Sequence, residues 1–587
     1  MDLFWSLDDI YKSFDSDEFK SDLDKFYKYI EDINKWSEEN LTSYDKCKEK
    51  IEYIIVNYND FFDLFMKLIS YAQLTLSVDA KNKQALSFVE KLEKDVTQIT
   101  SSKVKFEKYI GEIKDIETFI NSSDLINEYS FYIKEIKDNY KYLLTDKEEM
   151  SIAKMKNTGS DSWTKLQELL TSTLLVDIEV ENENKKLPLS VVRSMAYDKN
   201  ENIRKNAYDA EIRSYKKIEE SSAAALNSIK GEAITLCNLR GYDSVLQKTI
   251  IDSRLNENIL NTLMDAIKES LPMFRKFYNK KAQILGHDKL PFYDLFASVG
   301  EFDKQYSYEE AREYIVGNFK TFSDELAQFA DNAFENDWID AKPREGKRGG
   351  AFCENIHAIK QSRILSNFTG NFNDVVTLAH ELGHAYHDYC LKDEKYLNST
   401  YPMPIAETAS IFCETIVKKA AMKELEEDEL ITILENDISD NAQVIVDIYS
   451  RFLFESEMIK KREEGSLSVE ELKQIMIEAQ KNSYGDGLDQ DYLHPYMWTC
   501  KPHYYYADEN FYNFPYAFGL LFSKGLYNMY LKEKESFVDK YNELLSVTGR
   551  KNIKEIGEFI GIDLEDIEFW RGSLKVIEED INKFMKI

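Results

Sequence analysis

No proline occurs before Pro188, and the whole chain of 587 residues carries nine prolines and 21 glycines. Proline removes a backbone donor and clashes inside a helix, so its scarcity favours long helices. From residue 1 to about 175 the sequence is charged and helix-periodic. Val89, Leu92, Val96 and Ile99 recur between Lys and Glu at the steps of three and four that place apolar side chains on one helix face. An array of helical hairpins is expected there, with an ordinary core stripe and no chemistry. Near residue 176 the period changes: Val176 to Val180 alternates apolar with acidic, Glu181 to Asn184 is polar, and Leu187-Pro188-Leu189 closes a small predicted hairpin. Helical period returns from about Ser190 to Leu271, broken at Arg240-Gly241, and runs past Pro272 to Gly286-His287. Six of the nine prolines lie from Pro343 to Pro515, in the same region as Gly346, Gly349 and Gly350. Irregular loops on a rigid scaffold are where sites tend to lie. The expected fold is mostly α, two helical halves with a small β-sheet, divided into an N-terminal helical region, 1–185, and a region 186–587 that carries the chemistry.

A net charge of −31 repels phosphate backbones and anionic headgroups, so neither nucleic acid nor a membrane surface is an expected partner. Six cysteines are spread without a CxxC pair, and the opening MDLFWSLDDIYKSFDSDEF lacks the basic and apolar segments of a signal peptide. No run approaches about 18 consecutive apolar residues. These features predict a cytoplasmic protein acting on small soluble partners.

Of seven histidines, three fall in Leu378-Ala-His380-Glu381-Leu-Gly-His384-Ala-Tyr-His387. On a helix His380 and His384 share one face one turn apart, so two imidazole nitrogens can converge on one metal ion, and Glu381 lies beside that face. This is the helical zinc-peptidase pattern. Asn373-Asp374 is the expected cap, and Val375, Val376 and Leu378 the buried side. A catalytic zinc takes a third protein ligand and leaves one position open. After an interruption at Tyr401-Pro-Met-Pro404 a second helical run carries Glu407, whose distance suits the third position, and, seven residues later on the same stripe, Glu414, which is read as a partner holding an imidazole or as the rival ligand. His387 lies about two turns beyond His380 and is read as a packing histidine or one that supports a ligand.

The stretch from Gly346-Lys-Arg-Gly-Gly-Ala-Phe-Cys353, through Ser362-Arg-Ile-Leu-Ser-Asn-Phe368-Thr-Gly370, to Asp374-Val-Val-Thr-Leu-Ala-His-Glu-Leu-Gly-His384 resembles oligoendopeptidase F, in the thimet oligopeptidase group of zinc peptidases. Gly159 to Trp163, Leu239 to Tyr242 and Lys289 to Asp294 extend the resemblance, which runs from about residue 150 to about 580. The resemblance implies that His380, His384 and Glu407 bind one zinc ion per chain, with Glu381 as general base. It implies two helical halves around a deep channel that admits short peptides and excludes folded proteins. It also implies oxyanion donors from the C-terminal region, where His503, Tyr512 and Tyr516 match; this chain departs from its relatives there at Phe514 and Pro515.

Ser362, Ile364, Ser366 and Phe368 alternate with Arg363, Leu365 and Asn367, the period of a strand. As an exposed edge this strand would bind an extended peptide by main-chain hydrogen bonds, with Gly349 and Gly350 allowing close backbone approach; the alternative is an internal strand of a small sheet, with the glycines simply forming a turn. The expected activity is zinc-dependent hydrolysis of internal bonds in oligopeptides. The competing readings are a metallocarboxypeptidase or dipeptidase on a related scaffold, and a non-catalytic helical peptide-binding protein with a structural metal.

Overall fold

The computed structural model describes residues 3–180, 183–300, 302 and 304–587. Long helices dominate. Those used below are, in chain order, α1 (Asp17–Asn40), α2 (Cys47–Val78), α3 (Glu219–Arg240), α4 (Glu257–Leu285), α5 (Phe372–Cys390), α6 (Thr408–Glu424), α7 (Ile448–Glu464) and α8 (Phe514–Glu533). Gly241 and Gly286 end α3 and α4 in the left-handed conformation, at φ of 83° and 87°, where a side chain would be strained. Pro272 lies inside α4 without ending it. Strands β1 (Leu175–Val180) and β2 (Glu183–Pro188) form the expected antiparallel hairpin; Glu181 and Asn182 at its tip lie outside the described residues. No helix among the described residues is long and apolar enough to cross a membrane.

The chain forms two compact units, each assembled from separated segments. One comprises residues 1–143, 303–420 and 529–561; the other comprises 144–302, 421–528 and 562–587. In the first, Phe26 and Ile33 of α1 meet Ile54, Ile55 and Phe61 of α2 in an apolar core that also takes in Ile356 and Leu365. Phe26 and Phe61 stack with centroids 5.5 Å apart. The N-terminal helices are therefore built into the unit that contains α5 and the start of α6.

The small sheet of this unit orders its strands β3 (Ile339–Asp340), β5 (Gln361–Leu365) and β4 (Phe352–Ile356). The middle position of β5 excludes the open-edge reading and leaves the internal strand. It pairs in parallel with β3 and antiparallel with β4, and the pairing continues beyond its end as Ser366 N donates to Asp340 O and Phe368 N to Ala341 O. Ser362, Ile364 and Ser366 are 3%, 1% and 2% exposed, and Phe368 is half-buried. Both faces of the strand are covered, so the alternation of residue types marks no solvent side. Arg363 is fully buried and donates to Ser6 O, Gln361 Oε1 and Ser362 O. Helix α5 packs on β4 and β5.

Candidate metal centre and active site

The cap of helix α5 is Asn371, two residues before the expected Asn373. The Asn371 side chain accepts from Asp374 N while Asp374 Oδ2 reaches back to the amides of Asn371, Gly370 and Thr369, a reciprocal cap. Val375, Leu378, Ala379, Leu382 and Tyr386 bury one side of the helix. His380 and His384, four residues apart, bring their Nε2 atoms within 3.1 Å of each other.

Glu407 arrives from the junction between the short turn Met403–Ala406 and α6. Its Oε2 lies 3.4 Å from Nε2 of both His380 and His384, and the Ser410 hydroxyl donates to the same oxygen at 2.8 Å. The approach depends on Gly383. A Cβ there would stand 2.6 Å from both Ala409 O and Ser410 Cα, so only glycine lets the backbones of α5 and α6 come this close. Two imidazole nitrogens and one carboxylate oxygen, all within 4.8 Å of one another, are a donor set that fits a single divalent ion such as zinc. Glu414, about two turns further along α6, lies with Oε1 3.1 Å from His380 Nδ1 and Oε2 3.3 Å from Lys418 Nζ. A second cluster, Glu201, His287 and Asp294, is of a different kind. Asp294 is already bonded to His287 Nε2 and Arg204 Nε, each at 2.7 Å, which makes it part of an ion-pair network.

Glu381 is 6% exposed. Burial raises its pKa, and the neighbouring histidines only partly offset that. Burial also pulls His380 down, but the bond to Glu414 and the charges of Glu414, Glu407 and Glu381 outweigh it and lift it to about 9. For Glu407 burial is opposed by His384, His380 and Ser410, which bring it down to about 2.

His387 stands apart from this group. It is fully buried, its Nε2 lies 2.9 Å from Thr548 Oγ1, and its ring stacks on Tyr401 at 4.1 Å. Burial, followed by the charge of His384, pushes it down to about 3. Gly349 and Gly350 lie on the exposed loop between β3 and β4; Gly350 has φ of 79°, and its carbonyl accepts from Asn367.

In the other compact unit His503, Tyr512 and Tyr516 come together. His503, on the turn Pro502–Tyr505, stacks against Tyr512 at 5.5 Å and meets Tyr516 edge-on at 6.2 Å. Burial, then the charges of Arg451 and Lys501, pushes His503 down to about 4, so the ring is neutral at pH 7. Tyr506 completes the cluster, edge-on to both His503 and Tyr512. Sequence reasoning does not single it out; the run of three tyrosines from 504 to 506 is the available signal, and burial sorts them, with Tyr504 and Tyr505 in the core and Tyr506 half-buried.

Comparison with known proteins covers nearly the whole chain. The model of peptidase family M3 matches residues 194–575, and the model described as Oligopeptidase F matches residues 112–175. Oligopeptidase PepF of Bacillus subtilis is 24% identical over 591 residues, covering 99% of this chain and 87% of the relative. The crystal structure of oligoendopeptidase-F from Enterococcus faecium has a TM-score of 0.72 at 18% identity and covers 97% of this chain and 99% of that one. A crystal structure of a Chlamydophila abortus protein has a TM-score of 0.86 at 20% identity, covering 100% of this chain and 98% of that one. The chain belongs to peptidase family M3, within its oligoendopeptidase F group.

Proposed function

We propose that this family member is a zinc-dependent endopeptidase that hydrolyses internal bonds of short oligopeptides. The observation that carries the reading is the convergence of His380 Nε2, His384 Nε2 and Glu407 Oε2 beside the buried carboxylate of Glu381. His380, His384 and Glu407 would hold one zinc ion, which when bound polarises the scissile carbonyl and lowers the pKa of water. Glu414 accepts from His380 Nδ1 and so turns the Nε2 lone pair toward the ion. Glu381 takes the proton of the attacking water and returns it to the leaving amine; its raised pKa brings it nearer the pH at which a carboxylate can do both. His503, Tyr512 and Tyr516 supply uncharged N–H and O–H donors for the oxyanion. His387 anchors α5 through Thr548 and Tyr401. The reaction is assigned to residues 186–587 and a supporting helical role to residues 1–185. A cytoplasmic location and freely diffusing oligopeptide substrates complete the reading. Gly349 and Gly350 are proposed to let the backbone approach the bound peptide closely.

The test uses an internally quenched peptide of about ten residues, blocked at both ends, with products read by mass spectrometry. Wild-type protein is expected to cut it internally. Glu381→Gln is expected to retain zinc and lose activity by about three orders of magnitude or more. A blocked peptide left intact while the same peptide with free ends is cut would move the activity to an exopeptidase. Equal rates for Glu381→Gln and wild type would remove Glu381 from the mechanism.

A further inference from the structure

Tyr512 sits within a four-residue turn, Asn510 to Asn513, whose other members are tied to the interior. Behind the turn Lys230 of α3 and Glu455 of α7 form an ion pair at 2.7 Å, with the two residues 0% and 1% exposed. The pair is directed at the turn. Lys230 Nζ donates to Asn510 Oδ1 at 2.8 Å, Glu455 Oε1 accepts from Phe511 N at 3.0 Å, and Glu455 Oε2 accepts from Asn513 Nδ2 at 2.9 Å. Phe511 adopts φ of 52°, a left-handed conformation that a bulky residue holds only when its surroundings enforce it. Its ring is buried and packs on Phe452.

A buried ion pair adds little net stability over an apolar pair of the same volume, but its hydrogen bonds are directional and fix geometry. Here all of that direction converges on the residues either side of Tyr512, whose ring is the one half-buried member and faces His503. We propose that Lys230 and Glu455 are positioning residues that clamp the Asn510–Asn513 turn and thereby set the phenol of Tyr512. The inference rests on the role given to Tyr512 above. The donors of an oxyanion site must be fixed before reaction, and displacement by about 1 Å is enough to cost on the order of a hundredfold.

The experiment is a double-mutant cycle of Glu455→Gln with Tyr512→Phe in the full-length, zinc-loaded protein, read as kcat and KM. It is accompanied by amide hydrogen exchange of residues 510–516. Asn510→Ala, a milder break of the same clamp, stands in if Glu455→Gln fails to fold. The clamp predicts faster exchange across the turn, kcat lower by about 10- to 100-fold with KM changed little, and no more than about a twofold further loss when Glu455→Gln is added to Tyr512→Phe. Unchanged exchange would overturn the clamp. A Glu455→Gln loss of the same size whether or not Tyr512→Phe is present would overturn its action through Tyr512. A Tyr512→Phe variant with wild-type kcat would instead defeat the role of that phenol, while the exchange data still decide whether the clamp exists.

Discussion

At Gly383 a single hydrogen atom is all that the packing of α5 on α6 admits. With Ala409 O and Ser410 Cα both 2.6 Å from where a Cβ would stand, Gly383→Ala must push the helices apart. The two histidines ride on one helix and Glu407 leads into the other, so separation acts directly on the donor set. Overpacking of this kind typically costs about 1–3 kcal/mol. The variant is therefore expected to melt at lower temperature and to bind zinc at least about tenfold more weakly in competition with a chelator. Wild-type affinity in that variant would show that the glycine serves only helix packing. The histidine pair itself is legible in the sequence because its spacing is local to one helix. What Gly383 does is not legible: a glycine next to a ligand looks like any other until its neighbour across the interface is known.

At the scale of elements, the sheet and the helices around it are joined through His357, in the turn after β4. Its Nδ1 lies 2.5 Å from Asp63 Oδ1 on α2 and its Nε2 lies 3.0 Å from Glu394 O, beyond the end of α5. Burial alone would lower this histidine; the bond to Asp63, the Asp63 charge and the Glu394 carbonyl outweigh it, so the folded pKa lies above the free value of 6.5. Stability from a raised pKa is complete below the unfolded value and is lost as the pH rises through the folded one. The difference in unfolding free energy between wild type and His357→Asn is accordingly expected to be largest at about pH 6 and to shrink toward about pH 9. A difference independent of pH would mean that the histidine contributes packing alone. The same region marks the limit of pattern reading. The alternation from Ser362 to Phe368 correctly signals a strand, but period alone does not say how many neighbours a strand has, and β5 is the middle one. Likewise the cap of α5 falls on Asn371, where Asp374 answers it, because a reciprocal bond outweighs the nearer Asn373.

For the whole molecule, the first compact unit joins helices from residues 1–143 to Ile356 of β4 and Leu365 of β5 in one apolar core, which ties the N-terminal helices to the strands on which the metal helix packs. Deleting residues 1–185 would expose Ile356 and Leu365, remove the Ser6 carbonyl from buried Arg363 and remove Ser70 from Glu354. A chain of residues 186–587 alone is therefore expected to lack a cooperative thermal transition by circular dichroism. A fragment that melts cooperatively and retains zinc would show that the N-terminal region is dispensable to the fold. The measurement that bears most directly on the central claim is anomalous X-ray scattering at the zinc edge from crystals of the full chain. One ion is expected, bonded to His380 Nε2, His384 Nε2 and Glu407 at about 2.0–2.2 Å with at least one position left to solvent. An ion at Glu201, His287 and Asp294 instead, or one closed off by a fourth protein ligand, would contradict the account.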